Sequence, residues 1–147
     1  MLMGRAEILT LIPHRGAMCL LDGVVAWDAT SIVCSSTTHR DITNPLRRQG
    51  HLPALHAFEY GAQAMAVHGG LLARTAGQQA RPAYLAALRD ARLYVQHLDA
   101  IEAPLAVTAE LLLGNRDSAI YRCRVYAADR LLAEARITII IHPETAL

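Results

Sequence analysis

A long, mostly apolar stretch in the middle of the chain has the pattern of a buried helix. Pro53 precedes it, in the first-turn position where a helix tolerates proline. Apolar residues occupy nearly every side of this helix, and many are Ala or Gly, so neighbouring backbone can approach closely. We therefore predict one long core helix, from Ala54 to about Ala73.

The remaining apolar segments have the length and alternation of strands. In the segment from Ala119 to Ala127, alternate residues are apolar, whereas Arg122 and Arg124 fall on the opposite face. The other predicted strands are Met18 to Trp27, Ser31 to Thr38, Tyr84 to Gln96, Pro104 to Leu113 and Leu131 to His142, and a short helix is predicted from Glu7 to Ile12. Strands interrupted by one helix are typical of an α+β fold with an antiparallel sheet packed on that helix.

Two polar segments are predicted to be loops within a single domain. His39 to Pro53 is polar and contains an Asn-Pro pair and a glycine, and Arg74 to Pro82 is a surface connection. No repeat or composition shift marks a domain boundary. A chain of 147 residues is long enough to bury one core, so we expect one domain over residues 1–147.

Charge and hydropathy exclude several function classes. The 14 Lys and Arg residues nearly balance the 13 Asp and Glu residues, giving a net charge of +1, so we expect no nucleic-acid partner. The run from Tyr60 to Ala73 has no charged residue but is shorter than the roughly 20 apolar residues of a membrane span. Neither a membrane partner nor a signal peptide is expected. Cys19, Cys34 and Cys123 lie in apolar stretches, which favours reduced core thiols and a cytoplasmic protein.

The predicted helix carries polar residues on one stripe. His56, Glu59 and Gln63 are spaced three and four residues apart, so they share a face, whereas His68 belongs to the opposite face. A carboxyl group in a dry site stays protonated closer to neutral pH, as a general acid requires. The alternative is that Glu59 reaches solvent or pairs with an arginine.

The histidines offer a candidate base but no predicted metal site. His51, in a Gly-His-Leu-Pro loop before the helix, can act as a base or simply be exposed. His56 and Glu59 have a spacing that can share a metal, but no second such pair exists. There is also no Cys-x-x-Cys pair and no His-Glu-x-x-His helix. We therefore expect neither a metal nor another cofactor.

Two motifs carry a family resemblance. Residues 11–25 read Leu-Ile-Pro-His-Arg-Gly-Ala-Met-Cys-Leu-Leu-Asp-Gly-Val-Val, and residues 52–64 read Leu-Pro-Ala-Leu-His-Ala-Phe-Glu-Tyr-Gly-Ala-Gln-Ala. Together they resemble the 3-hydroxyacyl-acyl-carrier-protein dehydratases of the FabZ type. The second motif is closer still to the branch of predicted 3-hydroxyacyl-carrier-protein dehydratases, some of them in aryl-polyene-type clusters.

The resemblance implies a hotdog fold, in which an antiparallel sheet wraps a long helix and two subunits join their sheets. It also implies dehydration of a 3-hydroxyacyl thioester on acyl carrier protein or coenzyme A, in fatty-acid or polyene-type synthesis. In that family a loop histidine of one subunit acts with the helix carboxylate of the other, which corresponds to Glu59. Gln63 corresponds to the helix glutamine, and backbone amides near Ala54 and Leu55 would polarise the thioester carbonyl. We expect a homodimer or a higher oligomer of dimers.

The sequence departs from the FabZ pattern where that family has its histidine. Fourteen residues before the carboxylate this chain has Pro45, and its own Gly-His-Leu-Pro lies only eight residues before Glu59. The base is therefore His51, His56 or absent. The alternatives to a dehydratase are a hotdog thioesterase and a degenerate hotdog subunit that binds acyl chains or partners an active dehydratase.

Overall fold

The computed structural model describes residues 1–142 and contains two α-helices and one antiparallel sheet. The helices are α1 (Arg5–Leu11) and α2 (Ala57–Thr75), and the strands are β1 (Met3–Gly4), β2 (Gly23–Trp27), β3 (Ser31–Ser36), β4 (Ala83–Leu93), β5 (Leu105–Gly114), β6 (Ser118–Ala127) and β7 (Arg130–Ile141). The strand order is β1-β2-β3-β5-β6-β7-β4, and every neighbouring pair is antiparallel. The predicted α+β class is confirmed.

Helix α2 is the core element that the sequence predicted, and it contacts β3, β5, β6 and β7. Most of its residues are buried: Ala57, Phe58, Tyr60, Gly61, Gln63, Ala64, Met65, Val67, His68, Gly70 and Leu71. A 3-10 turn over Ala54–His56 leads into it, so the regular α-helix begins three residues later than predicted. Within residues 1–142, no helix combines the length and apolarity needed to cross a membrane.

The alternation predicted for β6 is confirmed, because its odd-numbered residues from Ala119 to Ala127 are buried against the core. Strands β4, β5 and β7 also lie close to their predicted bounds. The three cysteines are free and buried, as expected of core thiols. Burial raises the pKa of Cys34 and of Cys123 to about 12, so both thiols stay protonated near neutral pH.

The strand predicted from Met18 is wrong in its first half, since β2 begins only at Gly23. Leu20 is bonded by side chains instead of by a neighbouring strand. Its N–H donates to Oε1 of Gln63 at 2.8 Å, and its carbonyl accepts from the hydroxyls of Ser36 and Thr38 at 2.5 and 2.7 Å. This buried segment satisfies its backbone groups through contacts that an apolar run does not reveal.

The chain before β2 forms the predicted short helix. Helix α1 ends at Leu11, just before Pro13. The guanidinium of Arg15 donates to the carbonyls of Leu9 and Ile12 at 3.0 and 2.9 Å, as expected of a cation near a helix C-terminus. Strand β1, which was not predicted, precedes α1 and pairs with β2.

Two histidines are buried in their neutral form. Nε2 of His68 donates to the carbonyl of Asp28 at 2.8 Å, which leaves Nδ1 to accept from the hydroxyl of Tyr121 at 2.7 Å. Nε2 of His39 donates to the carbonyl of Ile101 at 2.9 Å. Burial lowers the pKa of His68 and of His39, because the charged imidazolium loses its hydration.

Because these two histidines are buried, we expect the folded chain to lose stability in mild acid. Their pKa values are lower in the folded chain than the unfolded value of about 6.5, so the unfolded chain binds more protons below that pH. The free energy of unfolding should be highest above about pH 6.5 and should fall as the pH drops through that value. Urea denaturation over a pH series measures this slope.

Two variants test whether the pH dependence of the free energy of unfolding comes from the buried imidazole of His68. His68→Gln should make the pH dependence shallower, whereas His142→Gln, which changes an exposed histidine, should leave it unchanged. Equal slopes in all three proteins would contradict the assignment to His68.

Candidate active site

The start of α2 is held by a short antiparallel ladder between two loop segments. The N–H of Leu98 donates to the carbonyl of Leu52 at 2.8 Å, and the N–H of Ala54 donates to the carbonyl of Gln96 at 2.9 Å. Pro53 lies opposite His97 in this ladder. The ladder fixes the direction in which the chain enters α2, and so it fixes the position of the candidate residues.

Glu59 lies in the first turn of α2 and is exposed. The positive end of the helix dipole stabilises a carboxylate at this place. Of the alternatives left open by the sequence, the described chain matches the one in which Glu59 reaches solvent. No lysine, arginine or histidine nitrogen lies within 4.0 Å of its carboxylate in residues 1–142. The dry surroundings expected for a general acid are therefore not supplied by residues 1–142.

The backbone just before α2 offers a free donor at Leu55. Within residues 1–142, the N–H of Leu55 has no hydrogen-bond acceptor, whereas that of Ala54 is bonded to Gln96. Leu55 is also 57% exposed, whereas Ala54 is buried. A free N–H at the positive end of a helix is suited to an oxygen that gains negative charge.

The two candidate bases have different surroundings. His51 is exposed, and its Nδ1 lies 3.2 Å from Oδ2 of Asp99. Its ring also lies beside the ring of His97, with a centroid distance of 4.8 Å. His56 is half-buried at the end of the 3-10 turn, three residues before Glu59.

The carboxylate of Asp99 contacts both the ring of His51 and the backbone of Leu52. Its Oδ1 accepts from the N–H of Leu52 at 2.8 Å, while Oδ2 faces His51. Burial alone would raise the pKa of Asp99, but the hydrogen bonds and His51 outweigh it and lower the pKa. Asp99 is therefore a carboxylate near neutral pH.

Both polar atoms of the Gln63 side chain form hydrogen bonds within the chain. Its Oε1 accepts from the N–H of Leu20, and its Nε2 donates to the carbonyl of Met18 at 2.6 Å. The amide is buried, so leaving either backbone group unpaired would cost about 1–3 kcal/mol. In the described chain Gln63 ties α2 to the segment before β2.

A cavity of about 260 Å³ lies elsewhere, between the N-terminal region and the loop after β3. Arg5, Cys19, Asp22, Thr38 and Asn44 are among its lining residues. None of the six predicted site residues lines it. The candidate site is therefore an exposed surface at the helix start and not this cavity.

Sequence reasoning missed His97 and Asp99, which lie 46 and 48 residues after His51. His51, His97 and Asp99 each offer a ligand atom, and these atoms lie within 4.8 Å of one another. The available signal was the His-Leu-Asp triplet, whose first and third side chains share a face when the backbone is extended. The expectation of no metal rested on the cysteine spacing, on helical histidine spacing and on the His56–Glu59 pair, and it did not consider this grouping.

Solved structures with the same architecture establish the predicted hotdog fold. The chain is similar to the dehydratase heterocomplex ApeI:P from Xenorhabdus doucetiae, with a TM-score of 0.84 and 24% identity over 93% of this chain and 91% of that one. It is also similar to a putative thioesterase from Shewanella oneidensis, with a TM-score of 0.64 and 11% identity over 95% and 94%. The PaaI protein of E. coli matches with a TM-score of 0.58 and 14% identity over 80% of each chain.

The sequence itself identifies the family within this fold. None of the curated proteins matches the chain. A family model described as ApeP-like, ApeP dehydratase, matches residues 6–146, which include both motifs that carried the resemblance. The predicted membership in a hotdog dehydratase family is thereby confirmed, and the chain belongs to the ApeP-like dehydratase family.

Proposed function

We propose that this chain dehydrates a 3-hydroxyacyl thioester to the trans-2-enoyl thioester, with Glu59 as the general acid. The proposal rests on two groups that both lie at the start of α2. One is the exposed carboxyl group of Glu59, and the other is the free N–H of Leu55. One group supplies a proton and the other stabilises negative charge on an oxygen. Dehydration of a thioester needs both.

The reaction removes one water from the acyl chain. A histidine takes the α-proton, and the negative charge that develops on the thioester oxygen is stabilised by the N–H of Leu55. The bond between Cβ and the hydroxyl oxygen then breaks, and Glu59 protonates the departing hydroxyl, which leaves as water. The α-carbon electron pair becomes the new double bond. A thioesterase would instead add water to the carbonyl and release the thiol.

The base is His51 or His56, or it comes from a second subunit. His56 is three residues before Glu59, whereas His51 is bonded to Asp99 of its own chain. The heterocomplex ApeI:P favours the third arrangement, because that dehydratase contains two different subunits. In each arrangement, Glu59 keeps the role of acid.

Pairing with a second hotdog subunit is proposed to occur through β4. This strand lies at the end of the sheet, so one of its backbone edges is unpaired within the described chain. Nearly all of its residues are exposed, including Tyr84, Leu85, Leu88 and Leu93. A long apolar edge strand invites pairing with another chain. The partner is a second copy or a related hotdog chain, and it would cover the start of α2.

The acyl group is proposed to arrive on a carrier arm that bears a phosphate, as in acyl carrier protein. Arg40, Arg47 and Arg48 lie in the loop that leads into α2. Within residues 1–142, none of their guanidinium nitrogens lies within 4.0 Å of a carboxylate. Guanidinium groups without a carboxylate partner bind phosphate well. We place the reaction in fatty-acid or polyene-type synthesis in the cytoplasm, where free cysteines such as these persist.

Substitutions test the acid and the base. Glu59→Gln should lower enoyl formation from a 3-hydroxyacyl thioester by at least about 100-fold, since Gln cannot give up a proton in this role. Glu102→Gln, which changes another exposed carboxylate, is the matched control. Absorbance of the enoyl product and release of free thiol are followed together. Thiol release without enoyl product would identify a thioesterase.

His51→Ala and His56→Ala locate the base in the same assay. A loss of about 100-fold or more in one variant assigns the base to that histidine. Wild-type rates in both variants would exclude both histidines and leave the partner subunit as its source. Full activity of Glu59→Gln would contradict the proposed function.

A charged substitution tests the proposed β4 interface. Leu85→Lys should raise the dissociation constant of the subunit pair by at least about tenfold, because a charge would be placed in an apolar contact. Leu113→Lys changes an exposed leucine on β5 and should have no such effect. Sedimentation equilibrium measures both. A shift of the same size in the two variants would remove β4 as the interface.

An arginine substitution tests the proposed contact with the phosphate of the carrier arm. Arg48→Gln should raise the KM for a carrier-bound substrate several-fold, about as expected when one charged phosphate contact is lost. The KM for a pantetheine thioester without phosphate should not change. Arg116→Gln, in the exposed turn between β5 and β6, is the control. Equal effects on both substrates would argue against a phosphate contact at Arg48.

A further inference from the structure

Three side chains that are able to ligate a metal lie close together beside the ladder before α2. Because Pro53 lies opposite His97, the antiparallel register places His51 opposite Asp99. His97 is the bridge residue itself, and Asp99 follows two residues later in a turn. The bridge therefore brings His51 close to both, although His51 is far from them in sequence.

Their spacing suits one small cation. One ligand atom from each residue lies within 4.8 Å of the others. Nδ1 of His51 is already 3.2 Å from Oδ2 of Asp99, about the separation of two ligands bound to one zinc ion. The rings of His51 and His97 are exposed and lie 4.8 Å apart between centroids, so small side-chain rotations bring their nitrogens together.

The carboxylate of this group is held in place before any cation binds. The side chain of Asp99 is only 12% exposed, and its Oδ1 accepts from the N–H of Leu52. The Leu98–Leu52 and Ala54–Gln96 hydrogen bonds fix the two backbone segments. An oriented carboxylate beside two exposed imidazoles needs little rearrangement, which lowers the cost of binding.

We propose that His51, His97 and Asp99 bind one divalent transition metal ion of the zinc type. Two imidazole nitrogens and one carboxylate oxygen are ligands that Zn²⁺ accepts, and a water molecule would complete a tetrahedral site. The bound ion would cross-link the segment before α2 to residues 97–99. This inference does not depend on the proposed dehydration. The metal ligand His51 would not serve as a base while the ion is bound.

Calorimetric titration of the untagged chain with Zn²⁺ near neutral pH tests the site. One ion should bind per chain. His97→Gln and Asp99→Asn should each weaken binding by at least about tenfold. Asn at position 99 keeps an oxygen for the N–H of Leu52, so the ladder should be preserved. His142→Gln, which changes an exposed histidine outside the ladder, should bind Zn²⁺ like the unmodified chain.

Co²⁺ gives a second readout of the ligand set. The visible spectrum should have the intensity of a four-coordinate site without the near-ultraviolet band of thiolate ligation, because the proposed ligands are nitrogen and oxygen. Absence of saturable Zn²⁺ binding would overturn the proposal. Unchanged affinity in both variants, or a thiolate band from the cysteines, would do the same.

Discussion

The close contacts of α2 with the sheet and with α1 determine where Glu59 lies. A Cβ atom at Gly61 would lie 3.2 Å from Cβ of Cys123 on β6, and one at Gly70 would lie 3.2 Å from Cβ of Leu11. Both distances are tighter than ordinary packing, so the helix has little freedom to shift along its axis. Glu59 is only two residues before Gly61 and is therefore fixed at the end of a buried helix although it is itself exposed.

Buried polar groups fix the chain around this helix. The hydroxyl of Tyr60 lies 2.8 Å from that of Thr38 and accepts from Nδ2 of Asn44 at 3.1 Å, while Gln63 bonds the backbone on both sides of Cys19. Such buried groups are costly to leave unpaired, so they specify one arrangement of the surrounding loops. Burial of the apolar side chains of α2 stabilises its packing on the sheet. The hydrogen bonds of its polar side chains determine how the surrounding segments are placed.

The sequence predicted the parts of the fold that depend on local pattern. The alternation in β6 and the nearly continuous apolar surface of α2 reflect burial that each segment carries in its own residues. The error at residues 18–22 has a different origin, because the carbonyl of Met18 and the backbone groups of Leu20 are bonded by the side chains of Gln63, Ser36 and Thr38. An apolar run indicates burial but does not specify which hydrogen bonds accompany it.

The candidate site was predictable only in part, for the same reason. The position of Glu59 on α2 follows from helical spacing, but its exposure depends on what covers the first turn. The neighbours of His51 come from a segment more than 40 residues later, and no local spacing connects them. The N–H of Ala54 is likewise bonded to Gln96, a partner that no local spacing predicts.

The exposure of Glu59 is the strongest argument that the chain works with a second subunit. A general acid usually works in a site from which water is excluded. The described chain leaves the carboxyl group of Glu59 uncovered. Strand β4 at the sheet edge offers apolar area for a partner. If that partner covers the start of α2, association would both exclude water from Glu59 and bury the apolar edge, so that catalysis and assembly would depend on the same contact.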